Sequence, residues 1–247
     1  MKLDGKIAIV TGAGKGIGKE IALALGADGA VVVAVARTKA DLDQTVSEVE
    51  SNGGQGFAVS ADLTNGEEVA AMVHAVVEKY GKIDILVNNA GGYPSEIYNN
   101  IEHQAINLWE WSEEQWDQII KTNLRIPFLC MKNVLPVMIA QGHGDVVSIS
   151  SRMGRIASQM GAYAVAKGGI VTMTKTAAIQ TKDYGIKVNA VAPGILDTPG
   201  QRVYNHSVGQ DDVAMGNAAD VAKAALYLIC DSPAVMTGQV MDLFTTL

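Results

Sequence analysis

Cysteine is nearly absent from this chain, with Cys130 and Cys230 the only two and no Cys-x-x-Cys arrangement. That count excludes a disulfide framework and leaves no ligand cluster for zinc. Proline is scarce as well, at 6 residues, so no proline-rich linker or collagen-like repeat is present. No uninterrupted apolar run reaches the ~18 residues of a membrane-crossing helix. Positive charge is in deficit: 19 Lys and Arg face 26 Asp and Glu, for a net charge of −7. Such a balance offers no basic footprint for nucleic acid. The first apolar strand begins by Lys6 or Ile7, too early for a targeting peptide ahead of it. The expectation is a cytoplasmic protein without a metal, binding neither nucleic acid nor membrane.

Apolar residues, by contrast, reach 48%, and glycine is abundant at 26 residues. Glycine without proline points to many tight strand–helix turns. Short β-branched runs occur at Lys6–Thr11, Val31–Ala36, Gly56–Ser60, Ile83–Asn88, Asp145–Ser150, Lys187–Val191 and Gln239–Leu243. Most are continuous rather than alternating, the mark of strands buried on both faces of a parallel sheet. Amphipathic stretches between them predict helices at Ile17–Ala27, Lys39–Asn52, Gly66–Tyr80, Ser112–Ala140, Ala162–Tyr184 and Asn217–Cys230. This alternation predicts an α/β fold, a Rossmann-like doubly wound parallel sheet of about seven strands with helices on both faces. No linker, repeat or charge block divides residues 1–247, so a single domain is expected. Two stretches, Gly92–Trp111 and Gly194–Gly216, fit neither pattern. Both would leave carboxyl ends of strands, where open α/β sheets bind ligands. The first reads as a substrate-side insertion, the second as a lid.

After the first strand comes Thr11-Gly12-Ala13-Gly14-Lys15-Gly16-Ile17-Gly18, running into a helix. Glycines let the backbone approach a pyrophosphate, which free N–H groups and the dipole of the helix N-terminus attract. A turn that merely joins strand to helix is the plainer alternative; its place, the first βα turn, favours a dinucleotide. At the end of the second strand, Ala36 stands where an acid would hold the ribose of NAD, and Arg37-Thr38 follows. An Arg nearby suits the 2′-phosphate of NADP.

The spacing Gly12, Gly16, Gly18, with Asn88-Asn89-Ala90-Gly91 after the fourth strand and Tyr163-x-x-x-Lys167, resembles the short-chain dehydrogenase/reductase family. The resemblance runs from Gly5 to about Gly238. It implies NADP(H) as cofactor, with Lys15 and Arg37 as the cation pair for its phosphate. It also implies that Asp62, in Ala61-Asp62-Leu63, meets the adenine amine; the alternative is a helix N-cap, for which Thr64 or Asn65 would serve better. Asn89, Ala90 and Gly91 would form the turn beneath the cofactor. Pro193-Gly194 and Thr198 would contact the nicotinamide carboxamide, a plain Pro-Gly turn being the alternative.

Tyr163 and Lys167 are four apart on a predicted helix and so share one face. A free tyrosine titrates near 10, and a neighbouring ammonium favours its phenolate. The resemblance implies that Tyr163 exchanges the proton with the carbonyl oxygen and that Lys167 also binds the nicotinamide ribose. It further implies a serine on that oxygen. Ser150 lies thirteen residues before Tyr163, the usual family interval. The strand register instead aligns Ser150-Ser151-Arg152-Met153-Gly154 with Ser-Ser-x-x-Gly, whose second serine is the catalytic one. Strands tolerate slips less than loops do, which favours Ser151. Asn123 resembles the fourth catalytic residue, which holds a proton-relay water.

Five of the thirteen aromatic residues lie between Tyr93 and Trp116: Tyr93, Tyr98, Trp109, Trp111 and Trp116. Rings there suit an aromatic or cyclic substrate, or else pin the insertion to the body. Arg152 and Arg155 would face an anionic substrate group or be solvated or salt-bridged. The expected activity is reduction of a small-molecule ketone or aldehyde, or the reverse alcohol oxidation. A 3-oxoacyl thioester reductase is the alternative enzyme, and an NADPH-sensing binding protein the alternative outside enzymes. The C-terminus lacks the family's usual Asp-Gly-Gly. Met131, Val134, Leu135 and Met138 widen the apolar surface of one long helix, and the next is rich in small residues. The resemblance implies that these two helices pair across a two-fold axis, giving a homo-oligomer, a tetramer before a dimer. The alternative is that this apolar excess is core.

Overall fold

The computed structural model describes residues 1–92, 107–207, 209 and 211–244. Its strands are β1 (Ile7–Thr11), β2 (Val31–Ala36), β3 (Gln55–Ser60), β4 (Ile85–Asn88), β5 (Gly144–Ile149), β6 (Ile186–Pro193), β7 (Leu196–Asp197), β8 (Gly216–Asn217) and β9 (Val240–Leu243). Seven of them build one parallel sheet in the order β3-β2-β1-β4-β5-β6-β9, and β7 pairs with β8 apart from it. The helices are α1 (Gly16–Ala27), α2 (Lys39–Ser51), α3 (Gly66–Tyr80), α4 (Glu113–Ile120), α5 (Ile126–Gln141), α6 (Gly161–Thr181), α7 (Pro199–Ser207) and α8 (Ala218–Leu226).

Continuous apolar strands follow from this arrangement. Along β1, Ile7 and Ile9 enter one core layer while Ala8 and Val10 enter the other, and both layers are sealed by helices. The strand order reverses between β1 and β4, whose registers place Val10 opposite Val87. Their following turns diverge to opposite faces and leave a crevice at the carboxyl ends of the strands.

The expected helices appear with small shifts at their ends, and four expectations need correction. Ser112 caps α4 rather than beginning it, accepting from Gln115 N. The stretch predicted as one helix to Ala140 is interrupted at Lys121–Arg125 by a π-turn joining α4 to α5. Gly194–Gly216 contains β7, α7 and β8, although it carried no readable pattern. Finally, Met131, Val134 and Met138 are buried, at 4%, 0% and 0% exposure, so they are core and not outward surface. The outer faces carry other residues: Phe128 and Ile139 on α5, and Val165 and Ile179 on α6. Among the described residues no helix is long and apolar enough to cross a membrane.

Candidate active site

The turn after β1 is held by the neighbouring β4. Thr11 is fully buried; its hydroxyl donates to Val87 O and accepts from the N–H groups of Asn89 and Ala90 at 2.9 and 3.1 Å. Asn89 Nδ2 in turn donates to Thr11 O and Gly12 O at 3.0 and 3.2 Å. The Thr11-Gly12 and Asn89-Ala90 segments are thereby locked face to face. A Cβ on Gly12 would lie 2.9 Å from Ala90 Cα, and its φ of +66° also disfavours any side chain. Gly18 is still tighter, since a Cβ there would run into Gly12 O and Asn89 Nδ2. In the sequence Thr11 stands out only as the first residue of the glycine turn; its place at the end of a buried strand was the one signal for this locking role.

The start of α1 fits a pyrophosphate. Its N-cap, Lys15, is extended and gives no side-chain cap, and no acid occupies the first turn. The leading N–H groups therefore have no competing side-chain acceptor at the N-cap. Gly16, at φ +55°, faces Thr198, whose Cβ would be 3.4 Å from an added Cβ. Thr198 Oγ1 also accepts from Gln201 N and so anchors the first turn of α7. Gly14 lies against Asp41, and Ile17 packs on the core.

At the end of β2, Arg37 and Thr38 are exposed, and Thr38 caps α2 without using its hydroxyl. Lys15 Nζ is 3.0 Å from Asp41 Oδ2, a pairing that nothing in the sequence spacing signals. Arg37 makes no salt bridge among the described residues. Asp62 accepts from Thr64 N at 2.9 Å, which holds its carboxyl below the usual range, and Arg37 adds to this. The cap of α3 is Asn65, not Asp62, and the Leu63 side chain is buried in the core.

Beyond β5 and on α6 the remaining candidates converge. Ser150 is buried and donates from Oγ to Lys167 O at 2.8 Å. Ser151 is only partly buried, and its Oγ accepts from Met153 N at 3.2 Å, so its hydroxyl hydrogen is not spent on that contact. The geometry thus separates the two serines: the first ties strand to helix, and the second is partly exposed with its hydroxyl hydrogen not committed to that contact. The turn that follows rests directly on α6, because a Cβ on Gly154 would run into the Lys167 backbone.

Lys167 is almost fully buried, donates to Ile149 O at 3.0 Å, and lies 5.6 Å from the Tyr163 ring centroid. Burial pushes its amine down from 10.5 to about 8. Asn123 lies inside the π-turn. The wider turn leaves Ile119 O accessible to Asn123 Nδ2 at 3.1 Å, and the same amide exchanges two 2.8 Å bonds with the Gly92 backbone. Gly91 sits against this group, since a Cβ there would be 2.9 Å from Asn123 Oδ1 and 3.7 Å from Lys167 Nζ. Pro193 ends β6, and Gly194 N donates to Leu243 O.

On the substrate side, Trp111 and Trp116 pack with Ile119, Ala162 and Tyr163. Trp111 also covers Gly161, at the start of α6. Trp109, in contrast, is 82% exposed. Tyr93 and Tyr98 lie outside the described residues, as does most of the expected insertion.

The family model described as short chain dehydrogenase matches residues 6–208. This chain is a short-chain dehydrogenase. It is therefore an oxidoreductase acting on CH–OH and C=O groups with a nicotinamide dinucleotide, not a dinucleotide-sensing binding protein. It is 36% identical over 251 residues to 3-oxoacyl-(acyl-carrier-protein) reductase FabG of Thermotoga maritima, covering 98% of both chains. A short chain dehydrogenase/reductase of Aspergillus oryzae is 36% identical over 249 residues, covering 96% of this chain and 92% of the other. Among solved structures, levodione reductase superposes with a TM-score of 0.87 at 27% identity, over 97% and 96% of the two chains.

Proposed function

We propose that this short-chain dehydrogenase reduces a ketone or aldehyde to an alcohol with NADPH, or runs the reverse oxidation. The observation that supports it best is Tyr163 and the buried Lys167 together on α6, with the turn that carries the partly exposed Ser151 resting on the Lys167 backbone and Gly91 close to the Lys167 amine. When bound, the nicotinamide supplies the hydride to the carbonyl carbon. Tyr163 gives its phenolic proton to the carbonyl oxygen, and Ser151 Oγ–H donates a hydrogen bond to that oxygen. Lys167 stabilises the phenolate and binds the ribose hydroxyls, while Asn123, held against Gly92, would hold the water that relays protons between Lys167 and solvent. The glycine turn cradles the pyrophosphate, Asp62 meets the adenine, and Pro193, Gly194 and Thr198 border the carboxamide.

The preference for NADPH is supported by Ala36, which offers no carboxylate, and by Arg37. Asp41 already engages Lys15, so Arg37 is expected to carry the larger share. The enzyme should prefer NADPH over NADH by at least about tenfold, as one charged contact is worth more than ~1.4 kcal/mol. Arg37→Ser should raise the KM for NADPH more than Lys15→Ser does and leave NADH nearly unaffected. An unmutated enzyme that favours NADH would overturn the assignment.

Trp111 and Trp116 beside Tyr163 support an aromatic or cyclic substrate. The relatives that reduce 3-oxoacyl-(acyl-carrier-protein) favour a second reading, a 3-oxoacyl thioester reductase, though the acidic balance offers little for an acidic carrier. NADPH oxidation with ketones, diketones, quinones and 3-oxoacyl thioesters separates the two. We also read residues 1–247 as one cytoplasmic unit, with 92–111 and 194–216 framing the substrate. Phe128, Ile139, Val165 and Ile179 support a homo-oligomer through the outer faces of α5 and α6, a tetramer before a dimer. Light scattering giving the 26.0 kDa mass of one chain would refute it.

A further inference from the structure

Two arginines follow Ser151 in the turn after β5, and their surroundings differ. Arg155 donates from Nε and Nη2 to the two carboxylate oxygens of Asp242 at 2.8 and 3.1 Å, so its charge is already matched. Arg152 makes no ion pair and no hydrogen bond through its side chain among the described residues. Its guanidinium carbon lies 5.8 Å from the centroid of the Phe244 ring, and its Nε is buried without an acceptor. Phe244 packs over Gly194, where an added Cβ would lie 3.0 Å from the Phe244 Cβ. Arg152 thus bridges the space between Ser151, its chain neighbour at about 3.8 Å between Cα atoms, and the turn that ends β6. A buried N–H without an acceptor is costly, and an aromatic face is only a modest anchor for a guanidinium.

We propose that Arg152 selects the substrate: its guanidinium binds a carboxylate carried close to the reacting carbonyl, making the substrate an oxo acid rather than a neutral ketone. This rests on the carbonyl-reductase reading above. A carboxylate fits because its two oxygens match parallel guanidinium N–H donors. The chain as a whole is acidic at −7, so attraction of an anion has to come from a local, unmatched cation. Drawing the arm off Phe244 breaks no hydrogen bond and frees Nε from its acceptorless burial. Because Arg152 adjoins Ser151, the carboxylate it reaches is near the carbonyl and not at the far end of a long acyl chain. Each turnover then consumes one NADPH and one proton and yields one hydroxy acid and one NADP⁺.

The test compares 2-oxo-4-phenylbutanoate with its ethyl ester, which differ in the negative charge. The quantity read is the ratio of kcat/KM for acid over ester, with NADPH saturating, in wild type, Arg152→Gln and Arg152→Lys. Loss of a charge-assisted contact should lower that ratio at least tenfold in Arg152→Gln, through KM, with partial recovery in Arg152→Lys. A ratio that stays within twofold, or equal losses on acid and ester, overturns the proposal. Turnover of the ester by wild type reports separately on the carbonyl-reductase reading. Should neither compound turn over, that reading fails for these ketones, and calorimetric titration of the acid into the NADP⁺-loaded enzyme still decides the proposal. Binding weakened at least tenfold by Arg152→Gln supports it; undetectable binding, or binding unchanged by the variant, overturns it.

Discussion

The two ends of the sheet each bury an ionisable side chain, and they treat it in opposite ways. At the amino end, Asp84 is 2% exposed and meets Ile7 N, Lys6, Lys82 and His143, all within 2.9 to 3.1 Å. Burial alone would raise its carboxyl, but these donors outweigh it and hold it at about 2. At the carboxyl end, Lys167 is 5% exposed, forms no salt bridge among the described residues, and is pushed down to about 8. One charge is surrounded by partners and stabilises the fold. The other is left without a counter-charge and destabilises it, which is the pattern expected of a group kept for chemistry.

The sharpest way to break this contrast is chemical. Tyr163→Phe should abolish turnover by about a thousandfold or more, because it removes the proton donor and little packing. Fluorescence titration should show NADPH binding retained, and near-normal activity would refute the mechanism. Asp84→Asn should do the reverse, leaving the pH profile of activity alone while lowering stability by about 2 kcal/mol. In a melting experiment that corresponds to a fall of roughly 5 °C. Wild-type stability from Asp84 is present above the ordinary carboxylate value of 3.8 and is lost as pH falls through about 2. The variant should show no such loss in that window.

Lys167→Met sharpens the comparison with a stability effect of the opposite sign. It should inactivate the enzyme yet raise its stability by about 1–3 kcal/mol at pH 7, since a buried ammonium is replaced by an apolar chain. The folded amine titrates at about 8 and the unfolded one at 10.5. Between those values the unfolded chain binds more protons, so wild-type stability should climb as pH rises from about 8 to 10.5. Denaturant melts across that range check it, and a flat difference between wild type and variant would contradict it.

Much of this arrangement was legible in the residues. β1, β2 and β4 read correctly because burial on both faces suppresses alternation, and the glycines after β1 were conspicuous because Gly12 and Gly18 leave no room for a Cβ. The π-turn was invisible, since one extra residue inside a long helical stretch changes no composition. Met131, Val134 and Met138 were misjudged because a helix apolar on most sides looks like surplus surface when it is in fact enclosed. The Lys15–Asp41 pair spans two elements whose approach depends on the whole first βαβ unit. α7 was missed because its nine residues are largely polar and begin with Pro199-Gly200, a pair that reads as a turn.

The π-turn at Lys121–Arg125 also fixes a phase. Each residue advances an α-helix by about 100°, so the surplus residue sets how the side chains of α4 face relative to those of α5. Ile119 on one side looks toward the tryptophans and Tyr163, while Met131, Val134 and Met138 on the other look into the sheet. Removing any one residue from 121–125 would turn one half out of its packing whichever half held its place. This segment should accept many substitutions but no single deletion, and it ties the length of a helix to the aim of an asparagine.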